Sequence, residues 1–367
     1  MKYRAAVLHQ PGQPLVIEEV TAAPLAPDDV LVKIKAAGLC HTDLEIMQGQ
    51  LSFPMPIILG HEASGVVEAI GSEVSDVAVG DHVVLSWNPS CGHCFYCDRD
   101  QPILCDVYTK RGVIAKQFDG KTRAYLNDGR ELHHLMFLGS FAEYCIVPQK
   151  SAIPVSKKLD FDVACLIGCG VMTGAGAALN IAEIEFGDTV VVIGCGAVGL
   201  SAVQGAVLAG ASQIVAVDLD GAKLDIAMST GATHAVNAKQ TDAVEAIKAL
   251  TSGRGADVII ESAGSPQAYR TTTEAVRPGG QVIWLGKVPV SQDVAFRWGS
   301  LMGEKRIRRS SYGGARPGRD FPRLAQAHLD GKMNLSPLIS RHITLEEINE
   351  GFDALKRGET IRSVVMF

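Results

Sequence analysis

Residues 40–62 concentrate side chains able to bind metal and move protons. Cys40 and His61 offer a thiolate and an imidazole, and Thr42, Asp43 and Glu62 add a hydroxyl and two carboxylates. A catalytic zinc site uses three protein ligands and keeps a fourth position open for water or substrate. Cys40 and His61 could supply two of the three, and Cys169, much further along, is the candidate for the third. A cysteine and a histidine alone do not define such a site, so the rest of the chain has to support the reading.

A second cluster, Cys91, Cys94 and Cys97 with Cys105 beyond, has a different character. Four thiolates complete a tetrahedron around zinc and leave no open position, which makes a structural site. His93 lies inside this loop, but four sulfurs already fill the shell. Metal affinity there becomes folding energy for a segment too polar and Gly/Asp-rich to pack itself. The chain has nine cysteines, and its N-terminus lacks the apolar run and small-residue cleavage site of an export signal. Both features favour metal binding over disulfides and a cytoplasmic location.

A third motif reads Gly-Cys-Gly-Ala-Val-Gly over residues 194–199. The apolar run 189–193 precedes it, a helix to about Gly210 follows, and the next strand, 213–217, ends at Asp218. That context makes the glycines a dinucleotide-binding turn. Gly194 allows the tight turn, Gly196 lets the backbone approach a pyrophosphate, and Gly199 lets helix and strand pack closely. The phosphates then meet the free amides at the helix N-terminus. Asp218 would accept hydrogen bonds from the adenosine ribose and repel a 2′-phosphate, which favours NAD over NADP.

The elements holding these motifs fall into two groups. Short strands at 30–35, 65–70 and 81–86, bounded by Gly or Asp, indicate a mainly β N-terminal domain. Residues 106–136 read as a long irregular connection. His133 and His134 point apart on extended chain, so packing or hydrogen bonding suits them better than a metal. Cys145 and Cys165 read as buried small hydrophobes. From residue 189 apolar strands alternate with helices, the pattern of a parallel sheet, with further strands near 257–260 and 281–285. Two helices, 320–329 and 345–357, and a final strand at 361–367 close the chain.

At 367 residues two domains are expected. The composition, 47% hydrophobic and 20% charged, is that of an ordinary globular protein. The net charge of -6 argues against a general nucleic-acid binder, and the basic run 305–309 reads as a solvated or interface segment. Residues 189–217 carry no charge but contain five glycines, so strand, turn, helix and strand describe them better than a membrane span.

Taken together, residues 60–67 (Gly-His-Glu-Ala-Ser-Gly-Val-Val), the four-cysteine loop, Gly168-Cys169-Gly170, the 194–199 turn with Asp218, and the ending from Gly351-Phe352-Asp353-Ala354 to Arg362 carry a resemblance. The chain resembles, along essentially its whole length, the zinc-dependent medium-chain alcohol dehydrogenases, the standing example of a Cys2His catalytic zinc. The resemblance implies an α/β protein: a GroES-like, mainly β catalytic domain (1–170 and 313–367) interrupted by a doubly wound Rossmann domain for NAD (171–312). It implies two zinc ions per chain. Cys40, His61 and Cys169 would hold the catalytic one, with Glu62 as a transient ligand, and Cys91, Cys94, Cys97 and Cys105 the structural one.

Further roles follow from the same resemblance. Asp43 would orient His61, and Thr42 would bond the substrate hydroxyl and pass on its proton. His41 and Arg362 would contact the cofactor pyrophosphate, Lys223 the adenosine ribose, and Thr173 and Val198 the nicotinamide side. Where many members relay the proton through histidine this chain has Glu45, so Glu45, a water chain and direct exchange are the alternatives. Trp87 and Leu51 match positions on the substrate channel, and with Met136 and Leu285 they suggest a narrow apolar passage for primary alcohols, aromatic or medium-chain. The expected partners are a small alcohol or aldehyde and further copies of the chain in a homodimer or homotetramer, with no nucleic acid or membrane. Two rivals are weighed. A glutathione-dependent formaldehyde dehydrogenase would want an acid where Leu51 stands and an arginine near Thr109 or Lys110. A non-catalytic nucleotide-binding protein would have no use for the intact ligand set.

Overall fold

A computed structural model describes all of residues 1–367. The chain forms two compact units: Met1–Cys169 with Arg316–Leu329 and Leu338–Phe367, and Gly170–Ala315 with Asp330–Pro337.

The first unit is built from two sheets. A closed barrel contains Lys2–Leu8, Val16–Ala22, Ala124–Leu126, Glu131–His134 and the two-residue strand Ile57–Ile58. A seven-stranded sheet is centred on Asp29–Gly38, whose Val30, Val32 and Ile34 are buried while Lys33 and Lys35 are half-buried. That alternation is the period of two expected of a strand with one face on the core. Asp29–Gly38 pairs with Glu62–Ile70 along one edge, and with Tyr144–Pro148 and Arg362–Met366 on the other. The last strand of the chain therefore returns to the middle of the first unit.

Residues 106–136 are more ordered than their polar composition suggests. Asp106–Gly112 is a helix, and Ala124–Leu126 and Glu131–His134 form a hairpin that completes the barrel. The turn between them is Asn127-Asp128-Gly129, with Gly129 at φ 88°, a conformation that favours glycine. His134 sits in this hairpin, buried, where its Nε2 accepts the Arg123 amide at 2.9 Å. His133 bonds the Ile114 carbonyl at 3.1 Å. Neither histidine belongs to a metal cluster.

The second unit is a six-stranded parallel sheet. Its strands run in the spatial order His234–Asn237, Gln213–Asp218, Thr189–Ile193, Ala256–Glu261, Val276–Trp284, Arg306–Arg309. In order of appearance this is 3-2-1-4-5-6, the doubly wound arrangement that binds ligands outside the carboxyl ends of the strands where the order reverses. Strands 1 and 4 of that sheet end at Ile193 and Glu261, so the glycine turn starts at the reversal point. One stretch, Phe161–Ile181, is long and apolar enough to cross a membrane, but 72% of its apolar 18-residue window is buried inside the protein.

Candidate active site

Strand register explains how residues far apart in sequence meet. Gly38 pairs with Glu62 on one side and Val364 on the other. Cys40 lies two residues beyond Gly38, His61 one before Glu62, and Arg362 two before Val364, so all converge at one end of the sheet. Gly38 makes room for the Glu62 carboxylate: a Cβ there would stand 2.7 Å from one of its oxygens. Cys169 arrives on a π-helical turn, Ile167–Val171. Such turns re-aim side chains at functional sites. Its neighbour Gly168 packs so closely on the next strand that a Cβ would lie 2.7 Å from the Leu85 carbonyl.

The donor atoms of Cys40, His61, Glu62 and Cys169 all lie within 4.8 Å of one another. Asp43, fully buried on the short helix His41–Met47, accepts the Gly60 amide at 2.9 Å and stands 3.1 Å from His61 Nδ1. With Nδ1–H donated to Asp43, Nε2 is left as the metal-binding nitrogen. The hydrogen bond with Cys169 outweighs burial and, with the charges of Arg362 and His61, holds the Cys40 thiol well below its usual range. Cys169 is raised by the same shared hydrogen bond and by burial. Burial pushes Glu62 up to about 7 against the pull of Arg362. Two sulfurs, an imidazole and a carboxylate in one buried cluster are a zinc donor set, and no cysteine in the chain is tied up in a disulfide.

The four-cysteine loop fits zinc equally well. Cys91, Cys94, Cys97 and Cys105 also gather within 4.8 Å, while His93 is exposed and outside the cluster. Cys94 and Cys97 sulfurs stand 3.5 Å apart, too far for a disulfide at about 2.05 Å. That spacing is close to the edge of a tetrahedron of sulfurs held ~2.3 Å from zinc. The amides of Cys91 and Asp106 donate to Cys105 and Cys94 sulfurs, each at 3.4 Å, which favours thiolates.

In the second unit the three glycines have separate structural reasons. Gly194 adopts φ 92°, and a Cβ on Gly199 would sit 1.7 Å from the Gly194 carbonyl, whereas Gly196 faces open space. Asp218 accepts the Cys195 amide at 2.6 Å and the Asp220 amide at 2.9 Å, so it braces the turn as well as facing outward from the strand end. A carboxylate has about four acceptor positions, which leaves room for a ribose. Val198 lies in the first turn of the helix Ala197–Ala209, Lys223 in the first turn of Gly221–Ser229, and Thr173 on Met172–Gly176.

Some residues have surroundings that the sequence did not indicate. Arg362 is buried, with both Glu62 oxygens at 3.1 and 3.2 Å and Cys40 Sγ at 3.7 Å, so it belongs to the ligand cluster before any pyrophosphate. Its register beside Glu62 is a tertiary fact that sequence spacing does not contain. Leu51, Trp87 and Met136 pack on the same core of the first unit, but Leu285 is buried at a strand end of the second. Tyr108 was not anticipated. Its ring lies 6.0 Å from Trp87 and 5.7 Å from Phe137, and the Cys169 charge reaches its hydroxyl. The only sequence signal is an aromatic three residues after Cys105.

Comparison with known proteins agrees with this geometry. Residues 26–157 match the alcohol dehydrogenase GroES-like domain, and residues 197–329 match the zinc-binding dehydrogenase domain. The chain is 37% identical to an alcohol dehydrogenase class-3 of Cereibacter sphaeroides over 376 residues, and 36% identical over 375 residues to an S-(hydroxymethyl)glutathione dehydrogenase of Paracoccus denitrificans, covering 100% of both chains each time. Among solved structures, a zinc-binding-domain alcohol dehydrogenase from Burkholderia ambifaria superposes with a TM-score of 0.96 at 35% identity. The benzyl alcohol dehydrogenase of Acinetobacter calcoaceticus superposes at 0.94 and 32%; in both cases 100% of this chain and 99% of the other are covered. The chain belongs to the zinc-dependent medium-chain alcohol dehydrogenases, oxidoreductases that act on CH–OH groups with NAD and zinc.

Proposed function

We propose that the chain oxidises a primary alcohol, aromatic or medium-chain, to its aldehyde, and runs the reverse reduction. The gathering of Cys40, His61, Glu62 and Cys169 donors within 4.8 Å carries the reading. Cys40, His61 and Cys169 hold the catalytic zinc, Glu62 serves as a transient ligand, and Cys91, Cys94, Cys97 and Cys105 hold the structural ion. When bound, zinc supplies a Lewis acid that acidifies a substrate hydroxyl, and the nicotinamide supplies the hydride acceptor. Thr42 Oγ1 receives the substrate proton, and Glu45, on the same helix, is one route onward. Asp43 keeps His61 in the required tautomer and raises its basicity. Arg362 balances Glu62, so that the buried carboxylate is paired when it is not ligating. His41, Thr173, Gly194, Gly196, Val198, Gly199, Asp218, Lys223 and Arg362 form the NAD contacts. The catalytic domain is 1–170 with 313–367 and the NAD-binding domain 171–312, bounds that differ from the compact units chiefly at Asp330–Pro337, which packs with the second unit.

Trp87 and Tyr108, a tilted aromatic pair whose tyrosine feels the Cys169 charge, support an aromatic substrate. Leu51 and Met136 add apolar surface. The glutathione-dependent reading is favoured by the Paracoccus relative's name, but Leu51 is apolar and Thr109 and Lys110 are exposed on their helix. Initial rates with NAD against benzyl alcohol, hexanol, ethanol and formaldehyde plus glutathione separate the two. Benzyl alcohol or hexanol should lead; preference for the glutathione adduct would overturn the substrate assignment.

A cytoplasmic homodimer or homotetramer completes the proposal. The edge strand Arg306–Arg309 is exposed at all four residues, and Trp298 beyond the preceding loop is 77% exposed. An unpaired edge beside exposed apolar residues invites a second copy.

A further inference from the structure

Glu261 ends the strand Ala256–Glu261 and has no part in the chemistry described above. It is fully buried and makes no ion pair. Its Oε1 accepts the Gly264 amide at 2.6 Å, its backbone carbonyl accepts the Leu285 and Gly286 amides at 2.8 and 3.1 Å, and Oε2 is buried without a hydrogen-bond partner.

Three loops interlock around this side chain. The Ser262 amide donates to the Ile193 carbonyl at 2.8 Å and its Oγ to the Gly194 carbonyl at 3.0 Å, so the loop after Glu261 braces the glycine turn. Added Cβ atoms measure how little slack remains: 2.8 Å from Gly194 to the Ala263 nitrogen, 2.6 Å from Gly264 to the Lys287 carbonyl, and 2.3 Å from Gly286 to the Gly264 nitrogen. On the far side Tyr269 donates to the Gly286 carbonyl at 2.8 Å. The Glu261 carboxylate meets both loops that leave the strands ending at Glu261 and Trp284: Oε1 bonds Gly264, and a Cβ on Gly286 would stand 2.7 Å from Oε2.

We propose that Glu261 is a positioning residue for the cofactor: its carboxylate locks these two loops against the glycine turn that receives the pyrophosphate. The proposal rests on the reading that this sheet binds NAD. Burial pushes the Glu261 carboxyl up to about 7, opposed by the neighbouring backbone amides and by the Arg309 guanidinium. Arg309 and the Tyr269 phenol are the other titratable groups that face it. The anion presents two acceptor oxygens to the backbone of both loops, whereas the acid turns one of them into an O–H donor beside Gly264 and Gly286, so cofactor affinity should tighten as pH rises through this range.

NADH binding is titrated by fluorescence for wild type, Glu261→Ala and Glu261→Gln, with steady-state constants on the same samples. Losing a buried acceptor should weaken NADH binding and raise the KM for NAD about tenfold in Glu261→Ala, with kcat at saturating NAD and the KM for alcohol little changed. Glu261→Gln retains one acceptor oxygen and should recover most of the affinity, but without the tightening between pH 6 and 8 seen in wild type. No NADH binding by wild type would sink the NAD reading itself. Normal binding by wild type and equally by Glu261→Ala would overturn only the role of Glu261. If Glu261→Ala does not fold, Glu261→Gln decides alone: a pH profile parallel to wild type refutes the proposal, and a flat one supports it.

Discussion

Asp43 sits behind the donor cluster, yet it decides how well His61 can serve as a ligand. Its carboxylate takes the ring Nδ1–H and the Gly60 amide, so Asp43→Asn removes the charge while keeping the shape. Loss of such a supporting carboxylate typically costs about 10- to 100-fold in metal affinity. Asp43→Asn should therefore release the catalytic zinc to a competing chelator at correspondingly lower concentration while the four-cysteine zinc stays bound. Equal retention of both ions would count against the assignment. At this scale the members of the donor cluster were readable only because Cys40, His61 and Cys169 occur together with the four-cysteine loop and the glycine turn. The Glu62 partner of Arg362 and the place of Tyr108 were not. The first arises only through strand register and the second only through the fold of a helix, and neither leaves a local pattern.

At the scale of elements, the hairpin carrying His134 shows both what patterning misses and what it costs to be buried. Its strands are too short to show alternation, and the helix Asp106–Gly112 is only two turns, so composition made the region look irregular. The glycine turn and the parallel strands were legible because apolar runs, glycine spacing and a terminal acid coincide over residues 189–218. Burial, with Arg123 and His133 nearby, pushes His134 down to about 3, while unfolded chain titrates near the ordinary histidine value of ~6.5. The unfolded state thus binds the proton that the folded state refuses. The folded state loses stability as pH falls from about 6.5 toward 3. Thermal unfolding between pH 7.5 and 4.5 should show a steeper fall for wild type than for His134→Gln. Parallel curves would mean that the neutral ring carries none of the acid sensitivity.

For the whole molecule, the exposed strand Arg306–Arg309 is the edge on which the proposed second copy would dock. Ile307→Glu places a charge in the middle of that edge and should shift sedimentation toward the monomer, with a lower Tm. An unchanged oligomer would place the interface elsewhere. Composition alone could not choose this surface, since 305–309 reads as a basic solvated run until the sheet order puts it at an edge.

The central claim is that Cys40, His61 and Cys169 hold a zinc required for oxidation of alcohol by NAD. The most direct measurement is NADH formation from benzyl alcohol alongside zinc content, on wild type and Cys169→Ser. Wild type should carry two zinc ions per chain and turn over. Cys169→Ser should keep its fold and the structural zinc, lose most or all of the other ion, and lose turnover by orders of magnitude. Near-normal turnover in a folded Cys169→Ser protein with one zinc per chain would contradict the account.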